Sequence, residues 1–247
     1  MVTPSLESES SPKGLVLVMV FFCILLFVMV TASAAAPLDT PQDLSGKMLV
    51  FSQGTRLNHV KLFSDKEDLA AITVCLRFFT DLQRPYYLFN LASSSLFHNF
   101  RIFTNPETNE IMVGTKEMFT GFPGQDYKIN TWHSLCATWD AASGLEQMWL
   151  NGKPSVRKYI SNSNIAGSLR ISIGQEHDFT LSPNPELSFV GMMSDIHMWD
   201  YVISPCEIQR YTEELRFTPG NALNWGSMPI FILGRVVVEN KQSLNCP

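Results

Sequence analysis

An all-β, antiparallel sandwich carrying one short helix is the fold class this sequence predicts. Three observations carry that prediction. Residues 132–144, WHSLCATWDAASG, set Leu135, Ala137 and Trp139 on one face of an extended strand and Ser134, Cys136 and Thr138 on the other, an alternation that suits a strand covered on both sides. The dipeptide Asn151-Gly152 tolerates positive φ at both central positions of a tight hairpin. Short apolar runs recur along the chain, while a single stretch carries helix-start chemistry.

Taken in order, residues 48–51 and 59–62 read as short strands, and residues 70–79 and 86–92 continue the series. Residues 121–124, Gly-Phe-Pro-Gly, read as a loop because glycine and proline punctuate chain direction. After the strand ending at Trp139, Asp140-Ala141-Ala142-Ser143-Gly144 reads as a turn. Residues 147–150 then lead into the Asn151-Gly152 turn, and residues 153–160 return as a strand. Residues 169–174 alternate again. The helix is expected at Ser204-Pro205-Cys206-Glu207: a capping serine, a proline at the first helical position and a glutamate three residues after the cap, with Ile208 and Tyr211 on one face.

Ahead of these elements, an apolar run from Gly14 to Val30 follows Glu7, Glu9 and Lys13 and exits into Thr31-Ala32-Ser33-Ala34-Ala35-Ala36-Pro37. That pattern reads as a secretory signal over residues 1–34, cleaved after Ala34. The competing reading is an uncleaved signal anchor, since the run approaches bilayer-spanning length. Residues 35–43 would then form an N-terminal extension and residues 44–247 the domain. Of 23 acidic and 18 basic residues, removal of the signal leaves 21 and 17, a mild negative charge that argues against nucleic acid as the main partner. About 213 residues remain, enough for one large sandwich with its own core. There is no N-x-Ser/Thr sequon. Cys23 leaves with the signal, so Cys75, Cys136, Cys206 and Cys246 remain, an even number suited to an oxidising compartment and open to three pairings.

The segment containing Cys136, Thr138 and Trp139 resembles the signature of the pentraxin family, in which His and Cys, one residue apart, precede Ser/Thr-Trp. Here His133 lies three residues before the cysteine, Ser134 stands at the histidine position and Ala141 replaces a usual Ser/Thr. The resemblance extends to other motifs in the family's order: Val74-Cys75-Leu76-Arg77-Phe78, Gly174-Gln175-Glu176-His177-Asp178, Phe189-Val190-Gly191, Met198-Trp199-Asp200, Ser204-Pro205 and Asn221-Ala222-Leu223-Asn224-Trp225. It runs from about residue 44 to about residue 238. It implies a two-sheet antiparallel lectin-like jelly roll with a helix lying across one face, usually five subunits in a ring, and a Cys75–Cys136 disulfide. Closing that loop suggests about 4 kcal/mol of stabilisation from chain entropy. Cys206 and Cys246 would be left to pair within the chain, or Cys246 to bridge subunits.

Glu176, Asp178 and Glu186 place three carboxylates within eleven residues at a strand end. Such a set is either a solvated acidic loop or part of a site for calcium, a hard ion that takes six to eight oxygens. The resemblance favours calcium, because pentraxins bind two calcium ions here that hold phosphocholine or other phosphate or carboxylate groups. It assigns Glu176 and Asp178 as side-chain ligands and His177 as a backbone-carbonyl ligand, and reaches Glu186 across a one-residue gap, with Leu187 where a glutamine oxygen is expected. A second loop normally adds an adjacent Asp and Asn; here the nearest positions are Phe97, His98 and Asn99. Phenylalanine cannot ligate calcium and imidazole suits softer metals, so Asn99 is the one candidate oxygen and calcium is expected to bind weakly, at one good site at most. Phe103 matches a phenylalanine that packs on choline methyls.

The expected function is therefore a secreted, non-enzymatic recognition protein of innate immunity. It would be multivalent through a homo-oligomeric, pentameric ring, with complement or other host effectors as further partners. Two alternatives come from other classes. A calcium-independent scaffold or adhesion module would keep the sandwich and lose the ligand chemistry. A glycosidase on the jelly roll would use Glu176, Asp178 and Glu186, which rests on fold analogy alone. The chain has no G-x-S-x-G, Walker A or H-E-x-x-H motif to support other hydrolase chemistry, and His59, His98, His133, His177 and His197 are scattered, with no nucleophile assigned to any of them.

Overall fold

The computed structural model of the protein describes residues 40–93, 98–105, 108, 110–176 and 183–242. Among them no helix is long and apolar enough to cross a membrane. The apolar run of residues 14–30, the proposed signal boundary at Ala34 and most of the 35–43 extension lie outside the described residues.

Two antiparallel sheets stack face to face. The strands are β1 (Lys47–Phe51), β2 (His59–Leu62), β3 (Ala71–Phe79), β4 (Tyr86–Ser93), β5 (Phe100–Asn105), β6 (Glu110–Thr115), β7 (Met118–Phe122), β8 (His133–Asp140), β9 (Leu145–Leu150), β10 (Lys153–Pro154), β11 (Lys158–Tyr159), β12 (Leu169–Ile173), β13 (Gly191–Trp199), β14 (Ile230–Leu233) and β15 (Val236–Asn240). Among the described residues one sheet runs β10-β9-β8-β3-β13-β1-β15, with β11 also on β9, and the other runs β14-β2-β12-β4-β5-β6-β7. Sequence neighbours such as β2 and β3 alternate between sheets, which gives the jelly-roll path.

The predicted alternation decides which residues fill the space between the sheets. Leu135, Ala137 and Trp139 of β8 join Ile72, Val74 and Leu76 of β3 and Leu88, Phe89, Phe100 and Ile102 of the facing sheet in one continuous core. The opposite face of β3 and β8 presents Cys75 and Cys136, paired in register and joined as a disulfide. A smaller cluster covers that bridge: Trp149, Trp199, Ile203, Ile208 and Tyr211. Ile208 and Tyr211 come from α1 (Pro205–Thr212), the expected helix. Its cap Ser204 accepts a hydrogen bond from the Glu207 amide at 3.2 Å, as the capping pattern requires.

Turn chemistry also follows the sequence. Asn151 and Gly152 both adopt positive φ, 51° and 75°, and Asn151 Oδ1 accepts from the Ser134 amide at 3.0 Å. Asp140 holds the preceding turn by accepting from the Ala142 and Ser143 amides at 3.1 and 3.2 Å. Two expectations change. Gly121 and Phe122 belong to β7, not to a loop: Phe122 pairs with Ile111 and enters the core at 1 % exposure, and cross-strand pairing outweighs the breaker composition. The return strand over residues 153–160 is split into β10 and β11, since Ser155 turns back on Met148, donating its amide to the Met148 carbonyl and accepting from the Met148 amide through Oγ.

Candidate functional site

Two of the residues singled out from the sequence, Glu176 and Phe103, meet at the outer face of the seven-stranded sheet. On β5, Phe100 and Ile102 point into the core, so period-two geometry sends Arg101 and Phe103 outward. Arg101 is opposite Asn90 on β4 and Gly114 on β6, and Gly114 is opposite Phe119 on β7. Phe103 pairs with Tyr87, their rings stacked at 5.3 Å, and meets Phe119 edge-on at 5.8 Å. The result is an aromatic shelf of Tyr87, Phe103 and Phe119, contributed by β4, β5 and β7.

Glu176, just beyond β12, reaches this shelf. Its Oε1 accepts a hydrogen bond from Tyr87 Oη at 3.0 Å and lies 3.3 Å from His98 Nε2. The other ring nitrogen of His98, Nδ1, lies 3.3 Å from Asn90 Oδ1. Burial and the Glu176 carboxylate push the Tyr87 hydroxyl well above its ordinary pKa, so it stays a donor at any physiological pH. Gln175 orients the segment, its Nε2 donating to the Thr55 carbonyl and its Oε1 accepting from the Glu176 amide, both at 3.1 Å.

The sequence-predicted ligands are therefore distributed unevenly. Glu176 lies at the shelf. Asn99, next to His98 in sequence, is buried, its amide nitrogen donating to Ser93 Oγ at 2.8 Å. His177 and Asp178 lie outside the described residues. Glu186 sits on an exposed 3-10 turn, Pro185–Leu187, where its main chain is held, its amide donating to Asn184 Oδ1 at 3.0 Å and its carbonyl accepting from Arg84 at 2.7 Å. Phe103, a residue type that in a sandwich is more often core, is half-buried on the outer face and lies outside the core cluster. Of the cysteines, Cys75 and Cys136 are joined, Cys206 is exposed at the start of α1 and unbonded among the described residues, and Cys246, its candidate partner or an intersubunit bridge, lies outside them.

Whether calcium suits this place follows from the donors. Glu176 and Asn99 offer oxygen, which a hard cation requires, but the neighbour of Glu176 is an imidazole nitrogen, which a hard cation does not favour. A protonated His98 competes with a cation for the same carboxylate oxygen. Among the described residues no group of three or more His, Cys, Asp or Glu side chains is arranged around a common metal position. The described residues thus offer a hard cation the Glu176 carboxylate but no assembled ligand set.

Sequence reasoning missed Tyr87, Arg101 and Phe119. Arg101 was reachable, since it shares a strand face with Phe103 two residues on. Tyr87 and Phe119 were not, because their meeting with Phe103 depends on strand register. A separate groove of about 380 Å³ opens on the α1 side of the molecule, lined in part by Thr138, Asp140, Trp149, Arg157 and Ile203, and includes none of the expected ligands.

A family model described as the Pentaxin family matches residues 47–240. The C-reactive protein of Sus scrofa is 32 % identical over 201 residues, covering 80 % of this chain and 88 % of that protein. The serum amyloid P-component of Sus scrofa is 30 % identical over 223 residues, covering 87 % and 96 %. A heptameric SAP-like pentraxin from Limulus polyphemus superposes with a TM-score of 0.70 at 18 % identity, over 80 % of this chain and 96 % of that one, a likeness of fold.

Proposed function

This chain belongs to the pentraxin family, and from that membership we propose that it is a secreted, non-enzymatic recognition protein of innate immunity. It binds phosphocholine-type or polyanionic surface ligands on the outer face of the seven-stranded sheet. The observation that carries this reading is the meeting of Glu176 with the Tyr87–Phe103–Phe119 shelf. A carboxylate able to hold a cation stands beside aromatic faces able to take a quaternary ammonium. In this reading Glu176 and Asn99, with His177, Asp178 and Glu186, hold calcium, which when bound supplies positive charge for a ligand phosphate. His98 keeps that binding weak, in the millimolar range of low-charge extracellular sites. Weak single sites become useful through a ring of copies, where avidity raises overall affinity; complement or other host effectors would be engaged from the opposite face.

Calorimetry on the mature protein tests this, first with calcium and then with phosphocholine. Saturable calcium binding that enables phosphocholine binding, and is lost in Glu176→Gln, is the expected outcome. No heat with several millimolar calcium, and none with phosphocholine, would leave a scaffold or adhesion module, and turnover of a polysaccharide panel would point to the glycosidase.

A further inference from the structure

We propose that Arg101 is a calcium-independent anion subsite, taking the phosphate group of a ligand directly on its guanidinium. The proposal deepens the recognition reading and rests on it for the identity of the ligand face. A guanidinium offers five N–H donors and is always charged. Arg101 is only 7 % exposed, yet among the described residues its one hydrogen bond is a long one, from Nη2 to the Glu117 carbonyl at 3.4 Å, and its buried Nε has no partner. Among the described residues no carboxylate pairs with it, in contrast to Arg77, which is met by Asp195 and Glu214.

What holds Arg101 in place is aromatic. Its Cζ lies 5.5 Å from the Phe103 ring centre and 5.6 Å from that of Phe119, and Phe119 is the more exposed ring at 57 %. Space beneath it is kept by Gly114, where an added Cβ would stand 2.7 Å from Arg101 Nε. Rings attract a cation through their faces but satisfy few of its in-plane N–H groups. A charge this buried is ordinarily paired, and the arrangement leaves in-plane donors, close enough to act on the Tyr87 hydroxyl, for an oxyanion. A phosphate matches the planar fork of a guanidinium in bidentate fashion. The ammonium of the same ligand could then lie on Tyr87 or against Glu176.

The test is titration of the intact mature protein in EDTA, with inorganic phosphate in one arm and phosphocholine in the other. Saturable binding that persists without calcium and weakens roughly 10- to 100-fold in Arg101→Gln, the span of a lost charged hydrogen bond, is the expected result. Arg101→Lys should recover part of it, since an ammonium keeps the charge and loses the fork. Equal affinity for the two probes makes phosphate the whole determinant, and tighter phosphocholine binding adds the shelf; both support the subsite. Should Arg101→Gln not fold, Phe119→Ala on the exposed side of the guanidinium serves instead, with a loss of affinity in EDTA expected. Calcium-dependent binding with none in EDTA would overturn the subsite and leave the recognition reading standing. Wild-type binding in Arg101→Gln would do the same. No binding with or without calcium would remove both.

Discussion

Glu146 carries a carboxyl into the sandwich. It shares the inward face of β9 with Met148 and Leu150, is fully buried, and among the described residues neither carboxyl oxygen has a partner within hydrogen-bond geometry. Thr115 and Thr120 from the facing sheet, and the Lys158 ammonium, lie near enough to offset only part of the desolvation, so its pKa is pushed up to about 8. The folded state therefore keeps a proton that the unfolded chain releases above its ordinary value of 4.5. The stability this contributes is full below about pH 4.5 and is lost as pH rises through about 8. His197 acts in the opposite sense: burial pushes its pKa down to about 4, so its contribution is lost as pH falls. The two are separated by difference. Urea unfolding of wild type and Glu146→Gln at pH 5, 7 and 8.5 should show the variant gaining relative stability with rising pH, by an amount on the order of a few kcal/mol across the series. A pH-independent difference would mean that the carboxyl is hydrated or paired.

At the scale of elements, α1 is a lid on the disulfide. Its Ile208 and Tyr211 cover Cys75–Cys136 together with Trp149 and Trp199, while Arg77 from β3 donates to the carbonyls of Tyr211 and Thr212 at 2.7 and 2.9 Å, satisfying two of the acceptors left open at the helix end. The start of the helix depends on Ser204, so Ser204→Ala should cost about 1 kcal/mol, read as a shift in the urea midpoint with an unchanged slope. No shift would show that tertiary packing alone fixes the helix start. The helix was legible in the sequence because capping is local: three side chains within four residues specify it. β7 was not, because Gly121 and Phe122 become a strand only through β6, and the split of β10 from β11 depends on Ser155 finding Met148 across the hairpin. Nothing within either segment announces a partner from another strand.

For the whole molecule, the two sheets have unlike outer faces, one closed by α1 and the disulfide cluster, the other open with the aromatic shelf. That asymmetry suits a ring that presents ligand sites on one side and effector contacts on the other. Sedimentation of the mature protein should give a closed oligomer, five subunits by the family resemblance; a monomer at all concentrations would remove the avidity on which weak sites depend. The site itself was half legible. The motifs named Glu176 and Phe103 as candidates, and the departures at His98 and Leu187 were visible as departures, but a residue list could not say that His98 would turn its nitrogen onto Glu176.

Alternation of apolar residues, the Asn-Gly turn and the serine cap were enough, without coordinates, to determine an antiparallel sandwich with one helix, because each is a local rule acting over a few neighbouring residues, and the order of motifs along the chain added the resemblance to the pentraxin family. Tertiary structure alone decided that Tyr87 donates to Glu176, that Glu146 is sealed between the sheets, and that Arg101 lies against two rings with no counter-charge among the described residues. Those outcomes depend on strand register and sheet stacking, which bring together residues from separate strands, and on the removal of water that gives a buried charge its energetic weight.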